Sequence, residues 1–248
     1  MSAYPGAPHP DGGPFRSAVS REPPRRDWQA AYAFTHIGHA GLMIHAAHSA
    51  THVLTTVAVS EHPPPQEAHF PQDAIFTLGH STLPIASFLA LLQAYGIERL
   101  VDIRTIPRSR HNPQFNDTAL ANSLKAQHLE YVHLKALGGL RRPRKDSPNI
   151  GWRNEGFRGF ADYMQTEDFR DALAALIRMS REKRVAIMCA EAVPWRCHRS
   201  LVADALSVRG VPVVEILSAS SYRMHELTPF ARVEGLQITY PPRQATLL

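Results

Sequence analysis

From residue 73 onward, apolar runs of strand length alternate with stripes of helical period, and this alternation constrains the fold more than any other feature. Ile75–Leu78 is apolar and ends at Gly79-His80-Ser81. Pro84 suits a first helical turn, with Ser81 or Thr82 near the cap. Ile85, Phe88, Leu89, Leu92 and Tyr95 then recur at helical spacing until Gly96 supplies the stop. Leu100–Ile103 reads as a second strand, closed by Arg104 and Pro107. Asn116 or Asp117 caps a helix carrying Leu120 and Leu124, and Leu129–Leu134 reads as a third strand. Beyond a Gly-, Pro- and Arg-rich insertion over 135–159, Thr166 with Glu167 and Asp168 opens a helix whose stripe is Phe169, Leu173, Leu176 and Ile177. Val185–Cys189 follows as the most apolar strand, then a helix over about 196–209 that stops at Gly210, then Val211–Ile216 as the last strand. Strands alternating with helices predict an α/β fold, a mostly parallel sheet flanked by helices.

The remainder of the chain behaves differently. Residues 1–26 are rich in Pro, Gly and Arg and carry no helical or strand period, and Trp28–Ser60 contains no Asp, Glu, Lys or Arg. Five His interrupt that uncharged window, so its apolar stretches fall short of the roughly 20 continuous residues of a membrane span. No compact basic-then-apolar start precedes it, and no secretory signal is expected. Such a composition buries little core, so residues 1–72 are expected to be a disordered extension, 73–240 the α/β domain and 241–248 a tail. With 248 residues, 44% of them apolar, there is material for one sizeable domain. The charge balance of 27 Lys+Arg against 22 Asp+Glu permits an anionic partner without requiring one. Two cysteines make no disulfide framework and suit a reducing cytoplasm.

In open parallel sheets, ligands bind outside the carboxyl ends of the strands. Three polar clusters fall at such ends: His80 and Ser81; Asp102 and Arg104 running on to Ser109; and Cys189-Ala190-Glu191 leading to Arg196, Cys197, His198 and Arg199. Backbone N–H groups at a helix start attract anions and lower a thiol's pKa, so Cys197 beside His198 and two arginines is a candidate nucleophile or anion-holder. Helical spacing from Cys197 and His198 to Leu201 and Val202 supports the competing reading, a buried stripe. Cys189, inside an apolar strand, reads as a small core residue. His80, Cys189, Glu191, Cys197 and His198 have metal-ligand side chains. They lack paired spacing, however, and neighbouring helical residues point about 100° apart, so no metal or other cofactor is expected. Asp102 and Arg104 alternate with Val101 and Ile103 and share one strand face.

The insertion carries Lys135, Arg141, Arg142, Arg144, Lys145, Arg153 and Arg158 against Asp146 and Glu155, with Trp152, Phe157, Phe160 and Tyr163 nearby. Basic groups with aromatic platforms suit nucleotides or single-stranded nucleic acid, and a solvated loop with snorkelling arginines gives the same pattern.

The runs TLGHST at 77–82, LVDIRTIPRSRHNPQF at 100–115, LGGLR at 137–141 and MCAEAVPWRCHRS at 188–200 together resemble the family catalogued as domain of unknown function 488. The resemblance covers about 73–240 and implies a compact α/β domain. Its pattern carries over to His80, Ser81, Asp102, Arg104, Pro107, Ser109, Glu191, Cys197, His198 and Arg199. A looser likeness is to rhodanese and cysteine-phosphatase layouts, in which a cysteine at a strand end is followed by an anion-cradling loop. Here Pro194 stands where the arginine of that loop would be.

Three functional expectations follow. The first is an enzyme acting on a phosphate-bearing substrate, with Cys197, His198, Glu191 and Asp102 as catalytic candidates and His80, Ser81, Arg104, Ser109, Arg196 and Arg199 as anion-binding candidates. The second is a non-catalytic module for nucleotide or nucleic acid. The third is rhodanese-like sulfur transfer. An anionic small molecule or nucleic acid is the expected partner, and no membrane.

Overall fold

The computed structural model describes residues 69–242. Nearly all of the extension expected over 1–72, and most of the tail over 241–248, lie outside the described residues. The strands of the central sheet are β1 (Ile75–Gly79), β2 (Arg99–Asp102), β3 (Glu130–His133), β4 (Val185–Cys189), β5 (Val213–Ile216) and β6 (Tyr222–Met224). Their order is β3-β2-β4-β1-β5-β6, the first five parallel and β6 antiparallel at the edge. The mostly parallel α/β fold is the one the alternation predicts.

β4 is buried along its whole length between β1 and β2, which explains its unbroken apolar sequence. Successive strand residues face opposite layers. Phe76, Leu100 and Ala186 join one core with Phe88 and Leu92 of α1 (Ile85–Ala94) and Leu120 and Leu124 of α2 (Asp117–Lys125). Ile75, Val101 and Ile187 join the other, with Phe160 of α3 (Glu155–Tyr163), Phe169 and Leu173 of α4 (Glu167–Glu182), and Leu201 and Leu206 of α5 (Arg199–Ser207). The chain therefore leaves β1 and β2 toward one face and β4 toward the other. That divergence opens a crevice at the carboxyl ends of these neighbouring strands.

Local signals hold well in α4, where Thr166 Oγ1 accepts from the Phe169 N–H and Glu167 and Asp168 complement the helix dipole. Elsewhere the boundaries shift. Pro84, rather than Ser81 or Thr82, occupies the N-cap of α1. The helix expected over 196–209 begins only at Arg199, because Pro194–Arg196 forms a separate 3-10 turn and Cys197 is extended, with φ −130° and ψ 143°.

The insertion over 135–159 is largely irregular, with Lys135, Arg142, Arg144, Lys145 and Arg153 exposed as in a solvated loop, but it is pinned to the domain. Its end forms the first turns of α3, capped by Asn154 Oδ1 accepting from the Phe157 N–H. Buried Asp162 pins its middle by accepting from Ser147 Oγ, Asn149 Nδ2 and the Arg144 N–H at 2.6–2.8 Å. Beyond β5, three-residue strands add β6 and the hairpin of β7 (Arg232–Glu234) and β8 (Gln237–Thr239). Runs this short carry too little alternation to be read from sequence.

Among the described residues, no helix is long and apolar enough to cross a membrane.

Candidate active site

The expected polar clusters do meet at the carboxyl ends of β1, β2 and β4, but they divide into a buried frame and an accessible wall. The frame begins with Asp102, fully buried at the end of β2. Its carboxylate accepts from Arg104 Nε and Nη2, from the Arg104 N–H, and from the Tyr131 hydroxyl at 2.9 Å. Burial, then Asp102, push the Tyr131 phenol well up from its usual range, keeping it a donor. Arg104 reaches on to the Phe115 carbonyl at 2.7 Å and to His80 Nε2 at 3.2 Å. His80 stacks on Phe115 with ring centroids 4.1 Å apart, and its Nδ1–H donates to the Ser81 carbonyl at 2.9 Å. Burial lowers His80 to about 4, so the ring is neutral and accepts from Arg104 at physiological pH. Ser109 belongs to the adjoining turn, where its Oγ accepts from the Asn112 N–H.

Arg199 is the second frame element and is almost wholly buried. It donates to Thr77 Oγ1 at 2.9 Å and to the carbonyls of Glu191 and Ala192 at 2.7 and 3.3 Å. It thereby ties the start of α5 to β1 and to the loop after β4. No carboxylate lies within ion-pairing distance of Arg199 among the described residues, leaving its charge to act on the neighbouring thiols. Gly79 completes this corner: a methyl group there would run into the Glu191 carbonyl oxygen.

The accessible wall is a cleft of about 360 Å³ at the ends of β2 and β4. Arg104, Gly139, Cys189, Glu191, Arg196, Cys197 and His198 contribute to it, with Phe157 and Asn154 from the insertion. Five expected site residues thus share one cleft: Arg104, Glu191, Arg196, Cys197 and His198. His80, Ser81, Asp102, Ser109 and Arg199 do not line it.

At the back of the cleft the two sulfurs meet one imidazole. His198 Nδ1 lies 3.7 Å from Cys197 Sγ and 3.9 Å from Cys189 Sγ. On the other side of the ring, Nε2–H donates to the Ile103 carbonyl at 3.2 Å, so a neutral His198 presents an unprotonated Nδ1 to the sulfurs. Phe160 packs edge-on against the ring at 5.0 Å, and Gly139 lies so close that an added methyl would press on Nδ1 and Cγ.

The two thiols face each other, and the hydrogen bond to Cys197, then burial, push the Cys189 thiol far up. At Cys197, burial is outweighed by the hydrogen bond from Cys189 and the charge of Arg199, joined by His198 when its ring carries the second proton, and these hold it well below the usual thiol range. The pair therefore shares one negative charge before it carries two.

Two expectations are corrected here. Cys197 and His198 are not neighbours on a helix, so the 100° divergence that argued against a shared ligand does not apply. Extended backbone at Cys197 lets both side chains turn to the same point. Cys189, expected as plain core, is buried at the last position of β4 yet joins this cluster and the cleft. Gly139 and Cys189 were missed as site residues. The LGGLR run and a cysteine ending the most apolar strand were the signals available.

Among the insertion's aromatics and those close after it, Trp152, Phe157 and Tyr163 are half-buried and Phe160 turns into the core. Phe160 is fully buried, and Trp152 packs against Phe157 and Phe230 at 4.6 and 4.9 Å beside the core. Arg141 is stacked on Tyr163 at 3.5 Å and donates to the Ala136 and Gly138 carbonyls. In a wider cleft of about 630 Å³, lined by Trp195, Arg223 and His225 among others, His225 is clamped between Asp204 and Glu215 at 2.8 Å each.

The family model described as domain of unknown function DUF488 matches residues 84–206, which span β2, the insertion and the Cys189–Arg199 segment. No curated protein and no solved structure matches the chain.

Proposed function

Residues 84–206 belong to the DUF488 family, a kinship that carries no reaction with it, and from the geometry of the site we propose an enzyme acting on a small phosphate-bearing substrate in the cleft at the ends of β2 and β4. The observation that carries this reading is the meeting of Cys189, Cys197 and His198 at the back of an accessible cleft with Glu191 and Arg196 at its sides. Such a cluster has no packing purpose that apolar residues would not serve better, and reactive groups gathered in a concave site are the mark of catalysis.

The lining favours an anion. Arg104 and Arg196 are its basic members and Glu191 its one carboxylate. Arg104 is already engaged by Asp102, so it contributes a fixed positive field more than a new hydrogen bond. Glu191 is exposed and suits proton exchange with solvent. The Cys–Cys–His cluster is the reactive centre. Asp102, Arg199 and His80 are positioning residues that act through the frame.

The burial of Phe160 and the packing of Trp152 beside the core favour this reading over a nucleic-acid module. Sulfur transfer ranks lower, since Pro194 interrupts the loop that would cradle the anion.

The test is turnover of a panel of nucleotides and phosphodiesters, followed by phosphorus NMR, with binding measured alongside by calorimetry. Cys197→Ser and Glu191→Gln are expected to abolish or sharply reduce turnover while retaining binding. Unchanged turnover in both variants overturns the reading. So does binding without turnover whose steep salt dependence flattens when Arg141, Arg142 and Arg144 are removed; that outcome makes the protein a nucleic-acid binder.

A further inference from the structure

We infer that Cys189, Cys197 and His198 form a binding site for one thiophilic divalent cation of the zinc type, with a fourth coordination position open to the cleft.

The spacing is that of a coordination polyhedron. A tetrahedral zinc ion with Zn–S of about 2.3 Å and Zn–N of about 2.05 Å sets its sulfur and nitrogen ligands about 3.6 Å apart and its two sulfurs about 3.8 Å apart. The two Sγ–Nδ1 separations here are 3.7 and 3.9 Å, and the three atoms all lie within 4.8 Å of one another. The two sulfur–nitrogen separations thus exceed those around a bound ion by only about 0.1–0.3 Å.

The surroundings also match. Metal-bound histidines nearly always donate their other ring nitrogen to a carbonyl or carboxylate, which fixes the tautomer. His198 Nε2–H donates to the Ile103 carbonyl in that way, which leaves the Nδ1 lone pair aimed at the sulfurs. Three protein ligands beside an open cleft is the pattern of a catalytic ion rather than a structural one, in which a fourth side chain closes the shell. The approach to the cluster runs past Glu191 and Arg196, which line the same cleft.

Ion binding stands on this geometry alone, whereas its catalytic use rests on the function proposed above. In that use, the open position takes a water or a phosphoryl oxygen of the substrate, and Glu191 exchanges the proton released. The two cysteines and His198 then act as ligands, and neither thiol is consumed.

The full-length chain, reduced and stripped with chelator, is titrated with Zn²⁺ or Co²⁺ alone. The expected results are one high-affinity equivalent per chain and a cobalt spectrum with thiolate-to-metal charge transfer and tetrahedral bands. X-ray absorption of the zinc form should show two sulfur and two lighter neighbours. Zinc should also protect both cysteines from alkylation, so that mass spectrometry reads two adducts without the ion and none with it. Cys189→Ser, Cys197→Ser and His198→Gln should each weaken binding beyond the roughly 10–100-fold that loss of an outer partner brings. Circular dichroism of each variant confirms that it is folded, and the alkylation readout on the unaltered chain needs no variant at all.

Several results overturn the inference: no stoichiometric binding, binding without sulfur neighbours, or affinity that survives both cysteine replacements. The last would move the ion to other ligands, the His-rich first seventy residues foremost. Turnover by ion-free enzyme removes the ion's catalytic role and leaves the enzyme. A bound ion with no turnover of any phosphate substrate removes the proposed function and leaves the site.

Discussion

His198 donates its Nε2–H to the main-chain carbonyl of Ile103 at 3.2 Å, so a residue just beyond β2 decides which ring nitrogen faces the two cysteines. The ring is held from a second side by Gly139, whose missing side chain is what leaves it room.

Gly139→Ala therefore acts by volume. The glycine has no positive φ, so alanine strains no backbone there, but its methyl meets Nδ1 and Cγ of His198. Cobalt affinity and turnover are expected to fall together by about 10–100-fold, the size of a lost outer-sphere constraint, with little change in the thermal melt. Unchanged affinity and turnover would show that the ring is not held by this contact.

Asp102→Asn tests the frame. The substitution keeps the shape but leaves the Arg104 guanidinium buried without its carboxylate. Breaking one partner of a buried pair costs about 3–5 kcal/mol, and the Tyr131 hydroxyl loses a charged acceptor as well. Urea unfolding should show a loss of that order. A loss under about 1 kcal/mol would mean that Arg104 is held by His80 and Phe115 alone, with the ion pair no stronger than a surface one.

The third prediction concerns pH. Burial opposes the charge on His225, but hydrogen bonds to Asp204 and Glu215 outweigh it and raise the ring to about 9. The folded value lies above the unfolded value of about 6.5, so protonation stabilises the native state. That contribution is complete below about pH 6.5 and is lost as pH rises through about 9. Its size is at most about 3 kcal/mol. Asp204 also accepts from Thr228 and Tyr240, and Arg223 also pairs with Glu215, so what loosens is the docking of the C-terminal segment on α5 and β5. Denaturant midpoints measured from pH 6 to 9.5 should fall for the unaltered chain and stay nearly flat for His225→Gln. Parallel curves would assign the pH dependence to another group.

Much of the fold is local and was legible. The apolar runs at Ile75, Leu100 and Val185, the Thr166 cap and the Gly96 and Gly210 stops each depend on neighbours a few residues away. The site was legible only in outline. Asp102 and Arg104 do meet in a bidentate pair, although β2 ends at Asp102 and Arg104 lies beyond the strand on which both were expected. Their burial, and that of His80 and Arg199, followed from packing by Phe115, Thr77 and the loop after β4, none of which leaves a periodic trace.

By itself the sequence determined the α/β alternation and the edge of the sheet at which polar residues collect, because hydrophobic period and turn chemistry act over a few residues. Only the tertiary structure decided that Cys189, Cys197 and His198 meet at one point. That meeting depends on the extended backbone of Cys197 before α5, on the Ile103 carbonyl just beyond β2 and on the space left by Gly139. These parts are as many as 95 residues apart in sequence, and close packing alone brings them together.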